Sequence, residues 1–480
     1  MATPDSPLLP THDTATPDTG RGWLTRPWVR VLGLYLAALC VSAPIVTLQV
    51  RAHHGLFVLD EIMYVDYLYR VHEGTIALPH GQKLGASAIE QRQCRGVEII
   101  GSSRDPIPHS CSGGPVDTAL LPNGGYNSAD IYPPTYFVLT DAAARVIMAT
   151  GLTDDLVTAG RLTGALWMAG ALVVAYLLDR ELGAGKRAST LAMAVTGSAS
   201  WLLVFWYHLT PDAASVFLGG LVFLLALRWE RRAVHWGWLV GVAALLVLVK
   251  PANVLATTMA CLFLLIRAVW ARRSLEQQTP AVADLPLSTS FELGAAPARD
   301  AYRRGVHGIG ALLGGTLGAL AVWFGVRTFL YPAGGKTPYD NRFRAHGFSV
   351  HWIVDNVATF LTIPNMGQHN VGNPELYTLV LVFGSVAALA LLLPGRARLH
   401  SAAMSVLAVT VTGAWLIVVL LLVTQDVYVR AEPRYGLSLV AAAIAVAATL
   451  WRTRTAQVVV ALLALALLVN SLGLTGHLAG

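Results

Sequence analysis

The chain is constrained above all by a succession of apolar segments long enough to cross a bilayer. Roughly 20 apolar residues span the hydrocarbon core as a helix, because a helix satisfies its own backbone donors and acceptors where no water can. Such segments occur at 29–50, 160–178, 189–207, 213–228, 236–249, 252–270, 305–328, 375–393, 401–423, 436–450 and 456–474, two of them short (236–249 and 436–450). The expected fold class is all-α: a polytopic membrane protein of about 11 transmembrane helices. The chain is 55% hydrophobic and only 13% charged, where a soluble domain carries roughly 25% charged residues. A net charge of +6 without a basic run argues against a nucleic-acid partner.

Basic residues set the expected orientation. With the N-terminus inside, the inner loops hold Arg21, Arg26 and Arg30; Arg180, Lys186 and Arg187; Arg228, Arg231 and Arg232; Arg272, Arg273, Arg299, Arg303 and Arg304; Arg396 and Arg398; and Arg452 and Arg454. Every short inner loop is then basic, as the positive-inside rule requires. Residues 1–28, rich in Pro, Thr and Asp, read as a disordered cytoplasmic tail. The domain 29–474 follows, multi-pass in the plasma membrane. Its first segment lacks a small-residue cleavage site and reads as an uncleaved anchor. Residues 51–159 and 329–374 are extracytoplasmic loops, and 274–304 is a cytoplasmic loop whose composition favours disorder.

In the first outer loop, Ile62, Tyr64, Val65, Leu68 and Tyr69 follow helical spacing and predict a juxtamembrane helix over 60–73. Pro133-Pro134 suits the first turn of a second helix over 134–150. There Asp141 and Arg145, four residues apart, favour an interfacial position. Cys40 and Cys261 lie in apolar segments. Cys94 and Cys111 share the outer loop, where a disulfide is expected, worth about 3 kcal/mol; in a reducing compartment they would be free thiols. No Cys/His spacing resembles a zinc site.

The outer face collects Asp60, Glu61, Asp130, Arg161, His208, Asp212, Lys250, Arg327, Lys336, Arg342, Arg344, His346, Asp426, Arg430, Glu432, Arg434 and Tyr435. Several sit within a turn of a membrane boundary, where ionisable groups are costly and are functional candidates. Each also has a structural reading. Asp60 and Asp212 could cap helices, Lys250 could snorkel to the interface, Arg434 could pair with Glu432 or Asp426, and His208 could be structural. Transfer of a sugar from a polyprenyl phosphate needs a carboxylate to deprotonate the acceptor hydroxyl. It also needs cations to hold the leaving phosphate. Asp60 fits the base, with Glu61 beside it to orient the acceptor, bind a metal or hold the loop. Lys250, Arg434 and Arg161 fit the cations. Asp130, Asp212, His208 and Tyr435 are weaker candidates for substrate or metal contact.

The order of these motifs resembles the GT-C superfamily of polytopic glycosyltransferases. Asp60-Glu61 after the first span is similar to the family's acidic motif. Ile131-Tyr132-Pro133-Pro134-Thr135-Tyr136 resembles its Pro-Pro juxtamembrane segment. Gly160-Arg161-Leu162 resembles the Arg that opens the next span, and Tyr207-His208-Leu209-Thr210-Pro211-Asp212 the acidic position at the outer end of a later one. Lys250-Pro251 and Glu432-Pro433-Arg434-Tyr435-Gly436 are weaker matches. The resemblance covers most of 29–450. It implies an inverting transfer from a polyprenyl-phosphate sugar to a hydroxyl of a glycan, lipid or protein, outside the membrane, in cell-envelope glycan or glycolipid synthesis. Some relatives use a divalent metal held by acidic residues, for which Asp60, Glu61, Asp130 and Asp212 are available. The chain departs from larger members in lacking a soluble C-terminal domain, so acceptor recognition would fall to 75–130 and 329–374.

Two other classes stand beside this one. A transporter or flippase of lipid-linked sugars would also want charge in a membrane cavity, but with internal repeats and polar residues near the midplane; no repeat is visible. A non-catalytic envelope-assembly protein would not need the acidic pair.

Overall fold

A computed structural model describes residues 27–58, 60–98, 107, 110, 111, 116–278, 292–331, 349, 351–357, 359, 360, 374–392, 397–425 and 428–472. Most of the N-terminal tail, part of the inner loop, most of the second outer loop, and Lys336, Arg342, Arg344, His346 and Asp426 lie outside the described residues.

The molecule is a multi-pass helical membrane protein. In chain order the helices are α1 (Pro27–Ala52), α2 (Glu61–His72), α3 (Ala86–Arg95), α4 (Thr135–Ala149), α5 (Leu156–Leu162), α6 (Gly164–Leu182), α7 (Lys186–Ser198), α8 (Ser200–Tyr207), α9 (Ser215–Glu230), α10 (Trp236–Val249), α11 (Val254–Gln278), α12 (Glu292–Leu330), α13 (His351–Asn356), α14 (Pro374–Leu391), α15 (Ala397–Gln425), α16 (Leu437–Ala448) and α17 (Arg454–Ser471). Over its described residues, each apolar segment read from the sequence coincides largely with helix. Among the described residues, seven helices are long and apolar enough to cross a membrane, or eight if one bent pair forms a single span. Three more apolar helices are shorter: Trp236–Val249, Tyr377–Leu391 and Pro433–Ala448.

Helices α6, α9 and α16 form the buried centre, and all twelve residues of α16 are buried. They approach closely because glycines face backbone. A Cβ on Gly219 would lie 2.0 Å from the Ser438 carbonyl oxygen. Packing of small residues drives association where lipid is as apolar as the side chains.

Local differences from the sequence expectation have local causes. The segment 189–207 is two helices, α7 and α8, bent by 61°. Ala199 is extended between them, and the Ser198 hydroxyl donates back to the Ala194 carbonyl. The bend sets the Trp206 carbonyl against Gly164, where a Cβ would meet it at 1.7 Å. The inner loop expected to be disordered is helical at both ends, since α11 runs to Gln278 and α12 begins at Glu292. Ala-rich sequence and the Asp300–Arg304 pair one turn apart favour that extension. At Lys250 the structure agrees with the sequence: the residue is extended (φ −155°, ψ 117°) and separates α10 from a 3₁₀ turn over Pro251–Asn253, so 236–249 and 252–270 are distinct helices as expected.

The first outer loop is ordered by polar contacts. Helices α2 and α4 form as predicted. Helix α3 and two short parallel strands, β1 (Leu56–Phe57) and β2 (Val97–Glu98), were not legible in the sequence. Asp66 of α2 anchors the loop: it accepts from Gly85 N (2.7 Å), Arg70 Nε (2.9 Å) and Asn127 Nδ2 (2.7 Å). Asp141 of α4 binds His72 at the end of α2 (2.6 Å) and Arg145 (2.8 Å). Cys94 and Cys111 are disulfide-bonded.

Candidate active site

Four ionisable residues from distant segments meet at one end of the bundle: Asp60, Asp212, Lys250 and Arg434. Three sit at prolines that open 3₁₀ turns ahead of helices. Pro211–Ala214 precedes α9 and carries Asp212. Pro251–Asn253 precedes α11 and follows Lys250. Pro433–Gly436 precedes α16 and carries Arg434. Proline fits there because the first turn leaves its amides unbonded anyway. The tight turn aims the adjacent side chain off the helix axis.

Asp60 stands at the N-terminus of α2 with φ 64°. That left-handed conformation is uncommon for a residue with a Cβ, and Asp tolerates it better than most. Its carboxylate makes no cap bond to α2. It accepts instead from Arg434 Nη2 at 2.7 Å. Its side chain is 39% exposed, while that of Arg434 is 7% exposed. The capping reading of Asp60 therefore fails, and Arg434 pairs with Asp60.

Asp212 and Lys250 form a fully buried ion pair. Asp212 Oδ2 also faces the Thr210 hydroxyl (3.2 Å) and Arg434 Nη1 (3.9 Å). Tyr435 lies under both cations, its ring centre 4.9 Å from Lys250 Nζ and 5.9 Å from Arg434 Cζ. The four charges sum to zero. One donor is left over: Arg434 Nε is buried and unpartnered among the described residues, a costly state that an anionic ligand would relieve.

Glu61 and Arg161, both candidates from the sequence, lie apart from this cluster and bind each other. Arg161 donates to both carboxylate oxygens of Glu61 (2.8 Å each), to the His53 carbonyl (2.7 Å) and to the Gly55 carbonyl (2.6 Å). Glu61 also accepts from the amides of Phe57 (2.6 Å) and Leu209 (2.7 Å). Both side chains are essentially unexposed. Burial pushes the Glu61 carboxyl up, but Arg161, His208 and these hydrogen bonds together hold it below its usual value. The structure places Arg161 in an internal clamp, not as a cation facing an open site.

His208 belongs to that clamp. Its Nδ1 faces the Val204 carbonyl (2.9 Å), so Nδ1 carries the proton. Its ring stacks on Phe57 (4.8 Å), and Nε2 lies 3.7 Å from Glu98 and 4.0 Å from Glu61. Asp130 is held elsewhere, by His80 Nδ1 (2.5 Å) and Arg327 Nη2 (3.0 Å).

The four carboxylates available for a metal are thus distributed: Asp60 and Asp212 to the cation cluster, Glu61 to Arg161, and Asp130 to His80 and Arg327. Among the described residues no group of three His, Cys, Asp or Glu side chains could hold a metal ion. These residues, each already paired, do not fit a metal centre.

Sequence reasoning missed Asp66, His53, Glu98 and the carbonyls and amides that the clamp uses. Asp66–Arg70 had a usable signal, the i,i+4 spacing. The backbone groups had none.

No family model matches the chain, and no curated protein matches it. Among solved structures it is similar to the oligosaccharyltransferase of Archaeoglobus fulgidus. With the form tethered to an acceptor peptide containing an NVT sequon, identity is 15% and the TM-score 0.40, over 94% of this chain and 55% of that one. With the complex with zinc and sulfate, identity is 15% and the TM-score 0.36, over 71% and 44%. The chain spans about half the length of that protein.

Proposed function

We propose that this protein is a membrane glycosyltransferase of the GT-C type, moving a sugar from a polyprenyl-phosphate donor to an acceptor hydroxyl on the extracytoplasmic face, in cell-envelope glycan or glycolipid synthesis. One observation carries the reading: the part-exposed carboxylate of Asp60 is bound to Arg434, whose own neighbours are the buried Asp212–Lys250 pair. A base and phosphate-binding cations thus adjoin at the end of the bundle where the positive-inside rule puts the outer face.

The resting cluster is neutral, so a donor phosphate enters by exchange. It takes Arg434 from Asp60 and uses the unpartnered Nε as well; Asp212 keeps Lys250 charged and in place. Asp60, released, faces the acceptor. Its carboxylate takes the hydroxyl proton while that oxygen bonds to the anomeric carbon from the side opposite the phosphate. The bond from the anomeric carbon to the phosphate oxygen breaks, its electron pair stays on the phosphate, and the anomeric configuration inverts. Arg434 and Lys250 offset the charge that develops on the leaving group. Glu61 and Arg161 touch no reactant; they fix the chain on either side of Asp60 and the Leu209–Asp212 turn.

The test is transfer of radiolabelled sugar from a panel of polyprenyl-phosphate donors by the purified full-length protein and by Asp60→Asn. Transfer by the parent protein and its loss in the variant support the reading. Unchanged turnover in the variant removes Asp60 as the base. Binding of donors without any transfer moves the reading to a flippase.

A further inference from the structure

The opposite end of the bundle holds a second charged site that this reaction does not use. A cavity of about 540 Å³ opens between the far ends of α9, α11, α12 and α15, lined among others by Arg231, Arg267, Arg304, Arg398, Glu230 and Trp270. Its volume lies within the roughly 300–1,000 Å³ of small-molecule sites. Helix α9 begins beside Asp212 and reaches Glu230 after 16 residues, about 24 Å at the helical rise. The two sites are therefore separate.

The cavity is built, and it is short of negative charge. Arg398 is fastened by the Glu181 and Leu227 carbonyls (2.8 Å each) and holds Glu230 Oε2 at 2.8 Å. Arg267 Nε takes the other oxygen of Glu230 at 2.6 Å. The one lining carboxylate is thus shared by two guanidinium groups. Arg231 binds Glu181 just outside the lining at 3.2 Å, at an oxygen that Arg398 Nη2 also meets at 3.1 Å, and Arg304 completes the wall. Arg304 binds Asp300 through Nη1. Its Nε is buried and, among the described residues, has no acceptor. Gly305 brings α12 against α11, where a Cβ would meet that of Ala268 at 2.7 Å, so Arg304 is held beside Arg267.

We propose that this cavity binds a phosphate group. Arginine forks match phosphate oxygens in pairs, and basic pockets between helices at a membrane's cytoplasmic side recognise anionic headgroups. The phosphate comes either from an anionic lipid headgroup or from a soluble phosphate compound.

Thermal unfolding of the full-length protein in a neutral detergent tests the site, with phosphatidylglycerol, phosphatidylcholine or inorganic pyrophosphate added. A rise in the unfolding midpoint with phosphatidylglycerol alone assigns a lipid headgroup; a rise with pyrophosphate assigns a soluble phosphate. Either rise must need about tenfold more ligand in Arg304→Gln, the loss expected for one charge-assisted contact. Should that variant not fold, Arg231→Gln on the exposed rim replaces it with the same expectation. The proposal fails if neither anion raises the midpoint, if phosphatidylcholine raises it equally, or if the folded variant responds as the parent does.

Discussion

Arg161 and Glu61, one hundred residues apart, meet in two parallel hydrogen bonds of 2.8 Å inside the protein. Between them they also hold two carbonyls and two amides, from 53–57 and from Leu209. The pair therefore fastens both chain segments that carry the cluster's carboxylates. Glu61→Gln leaves Arg161 buried without its counter-charge, which costs about 3–5 kcal/mol. Chemical or thermal unfolding in detergent should show this loss, with Arg161→Met less stable than the parent but the double variant Glu61→Gln/Arg161→Met recovering part of it.

The same pair makes stability depend on acid. The folded Glu61 carboxyl is held below its ordinary 4.5, so the unfolded state binds a proton first as pH falls. Its contribution is complete above pH 4.5 and is lost as pH drops through the lower folded value. Unfolding midpoints measured from pH 7 downward should fall below about pH 4.5, and Glu61→Gln should remove that part of the slope.

Asp60→Asn should abolish most transfer, a loss of about 10²–10⁴-fold for a general base, while the protein stays folded. Asn tolerates the left-handed backbone at this position, its amide oxygen can still accept from Arg434, and Arg434 keeps the Asp212 carboxylate 3.9 Å away. Parallel assays of transfer and thermal unfolding separate the two effects. A variant that loses stability in proportion to activity would argue for a structural Asp60.

Lys250 and Asp212 are buried together, so removing one exposes the other's charge to an apolar surrounding. Lys250→Gln alone should destabilise by about 3–5 kcal/mol. Lys250→Gln with Asp212→Asn should restore much of that stability but not transfer, since the cation for the leaving phosphate is still missing. Donor titration of the double variant should show the defect in kcat.

Thiol titration checks the loop. Of four cysteines, Cys40 and Cys261 are free, so two thiols are expected after denaturation without reductant and four after reduction. Four without reductant would mean that Cys94 and Cys111 are not bonded.

Much of this was legible locally. Hydropathy marks every helix of the bundle, because a segment's own length and apolarity decide whether it can cross lipid. The left-handed Asp60, the extended Lys250 and the bend at Ala199 were not legible, since each follows from neighbours packed against it.

The sequence by itself determined the helical membrane class, the apolar segments, the two juxtamembrane helices and a short set of ionisable residues too costly to be incidental. Only the tertiary structure decided how those residues divide. It set Arg161 against Glu61 and left Arg434 for Asp60, with Lys250 on Asp212 and Asp130 on His80 and Arg327. The physical reason is that burial demands a counter-charge without specifying which one. The choice is made by helix packing and by backbone groups that carry no signature in the residue types.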